Sequence, residues 1–337
     1  MRNATQVGMM LGRLSLLALA AMAAAFSVRA QDWPAKPIVV VYPFNPGGGG
    51  DQMVRLVMNR LSRDLGQQVV VESRGGAGGT IGAAYVAKAR PDGYLLLGSG
   101  VGSNVVAPVL MGAPFDSMKD FTHIALLGGL PQILVVNPAF EAKTMQQYVD
   151  VSRGKAGEIA FGSPGPGTHG HLIGELFKSI TGAKLLHIPY SGAGPALADL
   201  LAGHIPSAFF TLATAAQHLR AGKLRGLAVS GSQRAPDFPD VPTFAELGQK
   251  ELTATAWFGL SGPAGLSRPI VTRLNGLVRN ALAQPDIRSK LVADGIEPGD
   301  LDAEGFTQFF RAEIARWTPV ARASKEASTA GSKPSAR

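Results

Sequence analysis

Short apolar runs at residues 38–42, 69–72 and 94–97 alternate with helix-periodic stretches at 51–65 and 80–88, and this alternation constrains the fold more than any other feature. Strand and helix in turn imply a parallel sheet with helices on its faces, because parallel neighbours need a crossover connection. In the first helical stretch Val54, Val57, Met58, Leu61 and Leu65 recur at three- and four-residue steps, and Asp51 stands where an N-cap belongs. Between the first strand and this helix lie Pro43-Phe44-Asn45-Pro46 and the glycines Gly47 to Gly50. Glycines at a helix start leave backbone N–H groups uncovered before the positive end of the helix dipole, a cradle for an anion. The device returns at Gly75-Gly76-Ala77-Gly78-Gly79-Thr80 and at Gly162-Ser163-Pro164-Gly165-Pro166-Gly167-Thr168. With Ser99-Gly100, read as another small-residue loop, these segments belong at the carboxyl edge of the strands, where open α/β sheets take their ligands.

Strand character at 121–127 and 133–136 precedes a second alternation, with strands at 159–162, 185–189, 207–212 and 224–230 and helices at 145–152, 169–180, 195–202 and 215–221. A proline-rich connection, 233–243, leads to a strand at 253–260 around Trp257. The last third is helical: Ser267 caps one helix with Pro269 in its first turn, and a final one at 303–321 carries Phe306, Phe309, Phe310, Ile314 and Trp317. These helices have no strands of their own, so they are expected to return to the first sheet. The expected organisation is a first lobe of residues 31–130 and 254–322, a second of 131–253, and a disordered tail at 323–337.

Arg2 and Arg13 precede an apolar stretch at 14–26 and then Val28-Arg29-Ala30, the pattern of a signal peptide cleaved after Ala30. The apolar stretch is short for a membrane span, so the mature protein is expected outside the cytoplasm. The chain has no cysteine, which excludes disulfides and thiolate chemistry. Its formal charge of +8 falls to +5 without the leader's three arginines, a modest excess with no basic stripe, so no nucleic-acid partner is expected.

No G-x-S-x-G elbow is present, Gly154-Lys155-Ala156 fails as a Walker loop, and the first glycine loop lacks the third position of a dinucleotide fingerprint. No cofactor is expected. His169, His171 and Glu175 are the one metal-like group, but a zinc site wants three or four convergent ligands and only His171 and Glu175 share a helix face. The loops instead combine oriented amides with the hydroxyls of Ser99, Ser163 and Thr168, which points to a carboxylate held by neutral donors. On that reading a β-branched residue at Gly78 blocks the approach, and losing the Ser163 hydroxyl weakens binding.

The chain resembles the extracytoplasmic solute receptors of tripartite tricarboxylate transporters, the Bug family. The matching stretches are Pro43-Phe44 with its glycine loop and Asp51, Gly76-Ala77-Gly78-Gly79, Pro91-Asp92-Gly93-Tyr94, Phe161-Gly162-Ser163 through His171-Leu172, Pro189-Tyr190, Gly222-Lys223-Leu224-Arg225, and Pro239-Asp240-Val241-Pro242-Thr243 with Glu246-Leu247-Gly248. The resemblance implies a two-lobed periplasmic-binding (Venus flytrap) fold of sheets flanked by helices, monomeric, closing on a small carboxylate and delivering it to permease subunits in the membrane. The ligand-binding residues expected are Phe44, Asn45, Gly48, Gly49, Asp51, Ala77, Gly78, Gly79, Ser99, Ser163, Gly167, Thr168, His171, Tyr190 and Thr211. Ser191 stands where the family often has Lys, Asn45-Pro46 where it commonly has Pro-Ala, and Ser207 and Thr211 where many relatives place acids. A secreted hydrolase or isomerase is the alternative, with His171 or Asp199 as general base.

Overall fold

A computed structural model describes residues 33–154 and 159–331. The leader, its cleavage point and residues 332–337 lie outside them. The chain divides into two compact units, residues 1–36 and 37–337. The first is described only at residues 33–36, with a cis peptide at Trp33–Pro34.

In the second unit the first alternation folds as β1 (Ile38–Tyr42), α1 (Gly49–Leu65), β2 (Val69–Ser73), α2 (Thr80–Ala87) and β3 (Leu95–Gly100). β1 lies parallel between β2 and β3, Val40 opposite Val71 and Leu96. α1 begins earlier than the sequence suggests, with Gly48 rather than Asp51 at its cap. Gly49 and Gly50 are already helical, and they press against Leu130 and Phe258, where a Cβ would meet their side chains. Asp51 then reaches back, its Oδ2 accepting from the Gly47 amide at 3.0 Å while Oδ1 accepts from Arg55 Nε at 2.9 Å. Ser99 and Gly100 are strand residues rather than a loop. What leaves β3 is a pair of π-helical turns, Gly102–Val106 and Pro108–Gly112, which the sequence had not announced.

β4 (Phe121–Val136) joins the two strands read at 121–127 and 133–136 into one. Gly128-Gly129-Leu130-Pro131 looks like a break, yet each exception has a local cause. A Cβ at Gly128 would lie 2.7 Å from the Glu297 carbonyl, and one at Gly129 would strike Thr255. Pro131 sits where β4 changes partners, so its missing N–H interrupts no continuous ladder.

The second alternation gives α3 (Met145–Gly154), β5 (Ile159–Ser163), α4 (His169–Thr181), β6 (Leu185–Pro189), α5 (Ala193–Ala202), β7 (Ser207–Thr211), α6 (Leu212–Arg220) and β8 (Arg225–Val229). The chain ends with β9 (Thr255–Pro263), α7 (Arg268–Ala283), α8 (Pro285–Ala293), the short β10 (Glu297–Pro298) and α9 (Ala303–Gly331). The strand order is β2-β1-β3-β9-β4-β7-β5-β6, with β8 and β10 also on β4. β4 pairs with β9 as far as Pro131 and with β7 and β8 from Gln132 onward. Ser230 joins the ends of β8 and β9 across this switch. The Gln132 amide donates to its hydroxyl and the Ala254 amide to its carbonyl, at 2.8 and 2.9 Å.

Two aromatic cores flank the switch. Trp257, Phe306, Phe310 and Trp317 are fully buried between β9 and α9, and both indoles donate to Glu313 Oε2, at 2.8 and 2.9 Å. Phe161, Phe177, Phe209 and Phe244 fill the other. There Ser207 hydrogen-bonds Tyr148 and the Ala160 carbonyl. α9 continues through Pro319 to Gly331 rather than ending near 321, so the expected tail begins as helix. Its inner face there is Ala321 and Ser324, buried but too small or polar to show an apolar period. No helix among the described residues is long and apolar enough to cross a membrane.

Candidate functional site

The glycine loops face one another across the point where β4 changes partners. A Cβ built at Gly49 would lie 3.3 Å from Ala213 Cβ and 3.8 Å from Thr211 Oγ1, so the N-terminus of α1 meets that of α6. One at Gly102 would lie 3.4 Å from the Gly167 carbonyl, and one at Gly167 3.7 Å from Ala107 and Leu110. Phe44 packs beneath Gly79 and Gly102, and with Tyr42 and Phe258 forms an aromatic floor, ring centroids 5.6–6.1 Å apart. Gly48 opens on free space, and Asn45 is exposed beside Gly75. Helix geometry leaves the first amides of α1, α4 and α6 without intrahelical partners, so donors converge from both sides with no Lys or Arg among the loop residues. Gly102, Ala107 and Ala213 were not anticipated, although Gly102 obeys the same rule as the others: a glycine just after a strand.

Several of the expected ligand-binding residues also make hydrogen bonds within the protein. Ser163 is fully buried, its Oγ 2.7 Å from His187 Nε2 and accepting from the Gly165 amide at 3.2 Å. Thr168 caps α4, donating to the Gly165 carbonyl at 2.7 Å and accepting from the His171 amide. Thr211 caps α6 and shares a 2.8 Å hydrogen bond with Thr214. Ser99 bonds Ser261 at 2.8 Å inside the sheet. The Tyr190 hydroxyl donates to Asp199, whose other oxygen meets His204. His171 lies behind its loop, Nδ1 accepting from the Gly167 amide at 3.3 Å, its ring stacked on His187 at 4.2 Å. These groups fix the loops' shape.

The Ala77–Gly79 turn is held in left-handed conformations, with φ of 46, 64 and 97°. A Cβ at Gly78 would also lie 2.7 Å from Ala107 Cβ. A valine at Gly78 therefore distorts the turn itself and does not isolate ligand approach. His169, His171 and Glu175 turn to separate partners: an edge-on Trp317, the Gly167 amide and Lys178.

Four histidines lie in or beside these cores. Burial holds His123 and His171 at about 4 and His169 and His187 at about 3, with Arg316 adding to the effect at His169, Lys178 at His171, and His171 and Lys178 at His187. All four are neutral in the fold, whereas unfolded histidine protonates near pH 6.5. Their contribution is therefore neutral above about pH 6.5, and stability is lost as pH falls from there toward about 4 for His123 and His171 and about 3 for His169 and His187. Urea midpoints are expected to drop between pH 7 and pH 5, by an amount equivalent to about 1–2 kcal/mol per independent histidine. Replacing His169 by Phe should shrink the drop, and equal midpoints at both pH values would refute the account.

Residues 53–325 match the family model described as "Tripartite tricarboxylate transporter family receptor". The chain is similar to protein BugT of Bordetella pertussis, with 37% identity over 297 residues that cover 88% of this chain and 91% of that one. Among solved structures it resembles an R. palustris protein with adipate, at TM-score 0.80, 34% identity and coverage of 86% and 98% of the two chains. It also resembles MatC of Rhodopseudomonas palustris with bound malate, at TM-score 0.79, 32% identity and coverage of 86% and 100%.

Proposed function

The chain belongs to the family of tripartite tricarboxylate transporter receptors, and on that premise we propose that it binds a small carboxylated solute between its glycine loops in the periplasm and delivers it to a membrane permease. The observation that carries this reading is the meeting of the α1 and α6 N-termini at Gly49, Thr211 and Ala213. Two sets of neutral helix-start amides lie side by side there, an arrangement suited to a carboxylate. Adipate and malate in the two neighbouring structures support a carboxylate as ligand.

On this reading residues 31–130 with 254–322 form one lobe and 131–253 the other. The hinge lies at Pro131–Gln132 and Ser230–Ala254, the two places where the chain passes the partner switch. A ligand touched from both sides favours the closed form. Solution scattering should therefore give a smaller radius with bound ligand, and an unchanged radius at saturation would count against hinge closure. The mature receptor begins at Gln31 and works as a monomer, which intact mass of periplasmic protein and sedimentation test.

A hydrolytic reading has less support, since His171 is tied to the Gly167 amide and Asp199 to Tyr190 and His204. Calorimetry against C4–C6 mono- and dicarboxylates, malate and adipate included, should show stoichiometric binding with the solute recovered unchanged. Turnover of any of them overturns the receptor reading.

A further inference from the structure

The C-terminal helix touches both walls of the proposed cleft. Upstream it is anchored on β9, through Trp317 and the Glu313 carboxylate that the two indoles share. Seven residues on, about 10 Å along a helix, Ser324 Oγ lies 3.4 Å from His171 Nε2. His171 Nδ1 accepts from the Gly167 amide, so Nε2 carries the proton and Ser324 is its acceptor. The next residue, Lys325, donates from Nζ to the Val109 carbonyl at 3.4 Å, in the second π-helical turn. The same turn and the Ala107 that precedes it pack back on Gly167, through Leu110 and Ala107. The contacts close a ring: ligand loop, His171, α9, π-helical turns, ligand loop.

We propose that the last turns of α9 are a strap holding the two cleft walls in register, with Ser324 and Lys325 as positioning residues for the loop that presents Gly167. This rests on the receptor reading for its purpose, but the mechanical claim stands apart from it. Neither side chain reaches the gap between the glycine loops; each acts through a neighbour, Ser324 through His171 and Lys325 through Val109. Loops ordered before the ligand arrives lose less conformational freedom on binding, so the strap raises affinity without touching the solute.

Amide hydrogen exchange on the intact, ligand-free protein tests the strap directly. A chain ending at Arg322 keeps Trp317 and Ala321, and Ser324→Ala with Lys325→Ala keeps the full length should the shortened chain fold poorly. Both are expected to exchange at least about fivefold faster in peptides covering 102–112 and 164–171 together. Peptides of β1 to β3 should stay at wild-type rates, and Ser324→Thr should restore protection of 164–171. Faster exchange confined to α9, or at only one of the two segments, overturns the strap. Malate and adipate dissociation forms a separate arm: binding that releases faster in the variants supports the coupling to affinity. If neither solute binds the wild type, the receptor reading is in trouble while the exchange result still decides the strap.

Discussion

Gly49→Val is expected to lower affinity for the bound carboxylate by more than about a hundredfold while the fold survives. The backbone at Gly49 lies outside the left-handed region, so a side chain there carries no dihedral penalty. Its Cβ would instead crowd the place where the α1 and α6 N-termini meet, 2.6 Å from Leu130 Cδ2 and 3.3 Å from Ala213 Cβ. Leu130 Cδ2 is the end of a flexible side chain and can give way; the ligand cannot. Blocking two charge-assisted hydrogen bonds, each worth about 1.5–3 kcal/mol, predicts a loss of two decades or more. The overpacking cost to stability is about 1–3 kcal/mol. Gly276→Ala, on α7 and outside the glycine loops, is the control: a Cβ there meets nothing within 4 Å, so affinity should stay within about threefold, roughly 0.6 kcal/mol. Calorimetry on both variants, with melting curves, decides the matter, and wild-type binding by Gly49→Val removes the amide cradle from contention.

The contrast between Gly49 and Gly78 marks what the sequence could reveal about the site. Glycine after a strand and before a helix can be read from the order of residues alone, and it located the loops at residues 47–50, 75–79 and 162–167. Whether a glycine is there for its dihedral angles or for the space beyond it depends on residues far away in the chain: Ala107 for Gly78, Leu130 and Ala213 for Gly49. The hydroxyls have a second role for a related reason. Ser163, Thr168 and Thr211 sit at the right edge, but a capping serine or threonine spends its oxygen on its own helix or loop. Gly128-Gly129-Leu130-Pro131 hid a continuous strand because its demands come from Glu297, Thr255 and the change of partner at Gln132. The end of α9 hid a helix because small and polar residues cover the cleft walls there.

Trp257→Ala is expected to be the most destabilising single change, by about 3–5 kcal/mol. Trp257 is 1% exposed and packs against Phe306, Phe309 and Phe310 with centroids 6.0, 5.6 and 5.0 Å away. Removing it opens a cavity in the core on which α9 is anchored and leaves Glu313 with the Trp317 indole and, at 3.8 Å, Arg316. Trp257→Phe separates the two effects. It keeps most of the ring packing and loses the 2.8 Å hydrogen bond to Glu313, which should cost about 1.5–3 kcal/mol as a bond to a charged group. Urea midpoints of the two variants give the division, and equal losses would mean that the hydrogen bond, not the packing, carries the site. The strand's period of two turns Phe258 to the opposite face, toward Phe44, Tyr42 and Gly50 beneath the first glycine loop. Trp257→Ala should therefore cost stability while leaving ligand affinity within about fivefold, roughly 1 kcal/mol, because the loop's floor belongs to Phe258 and not to its neighbour.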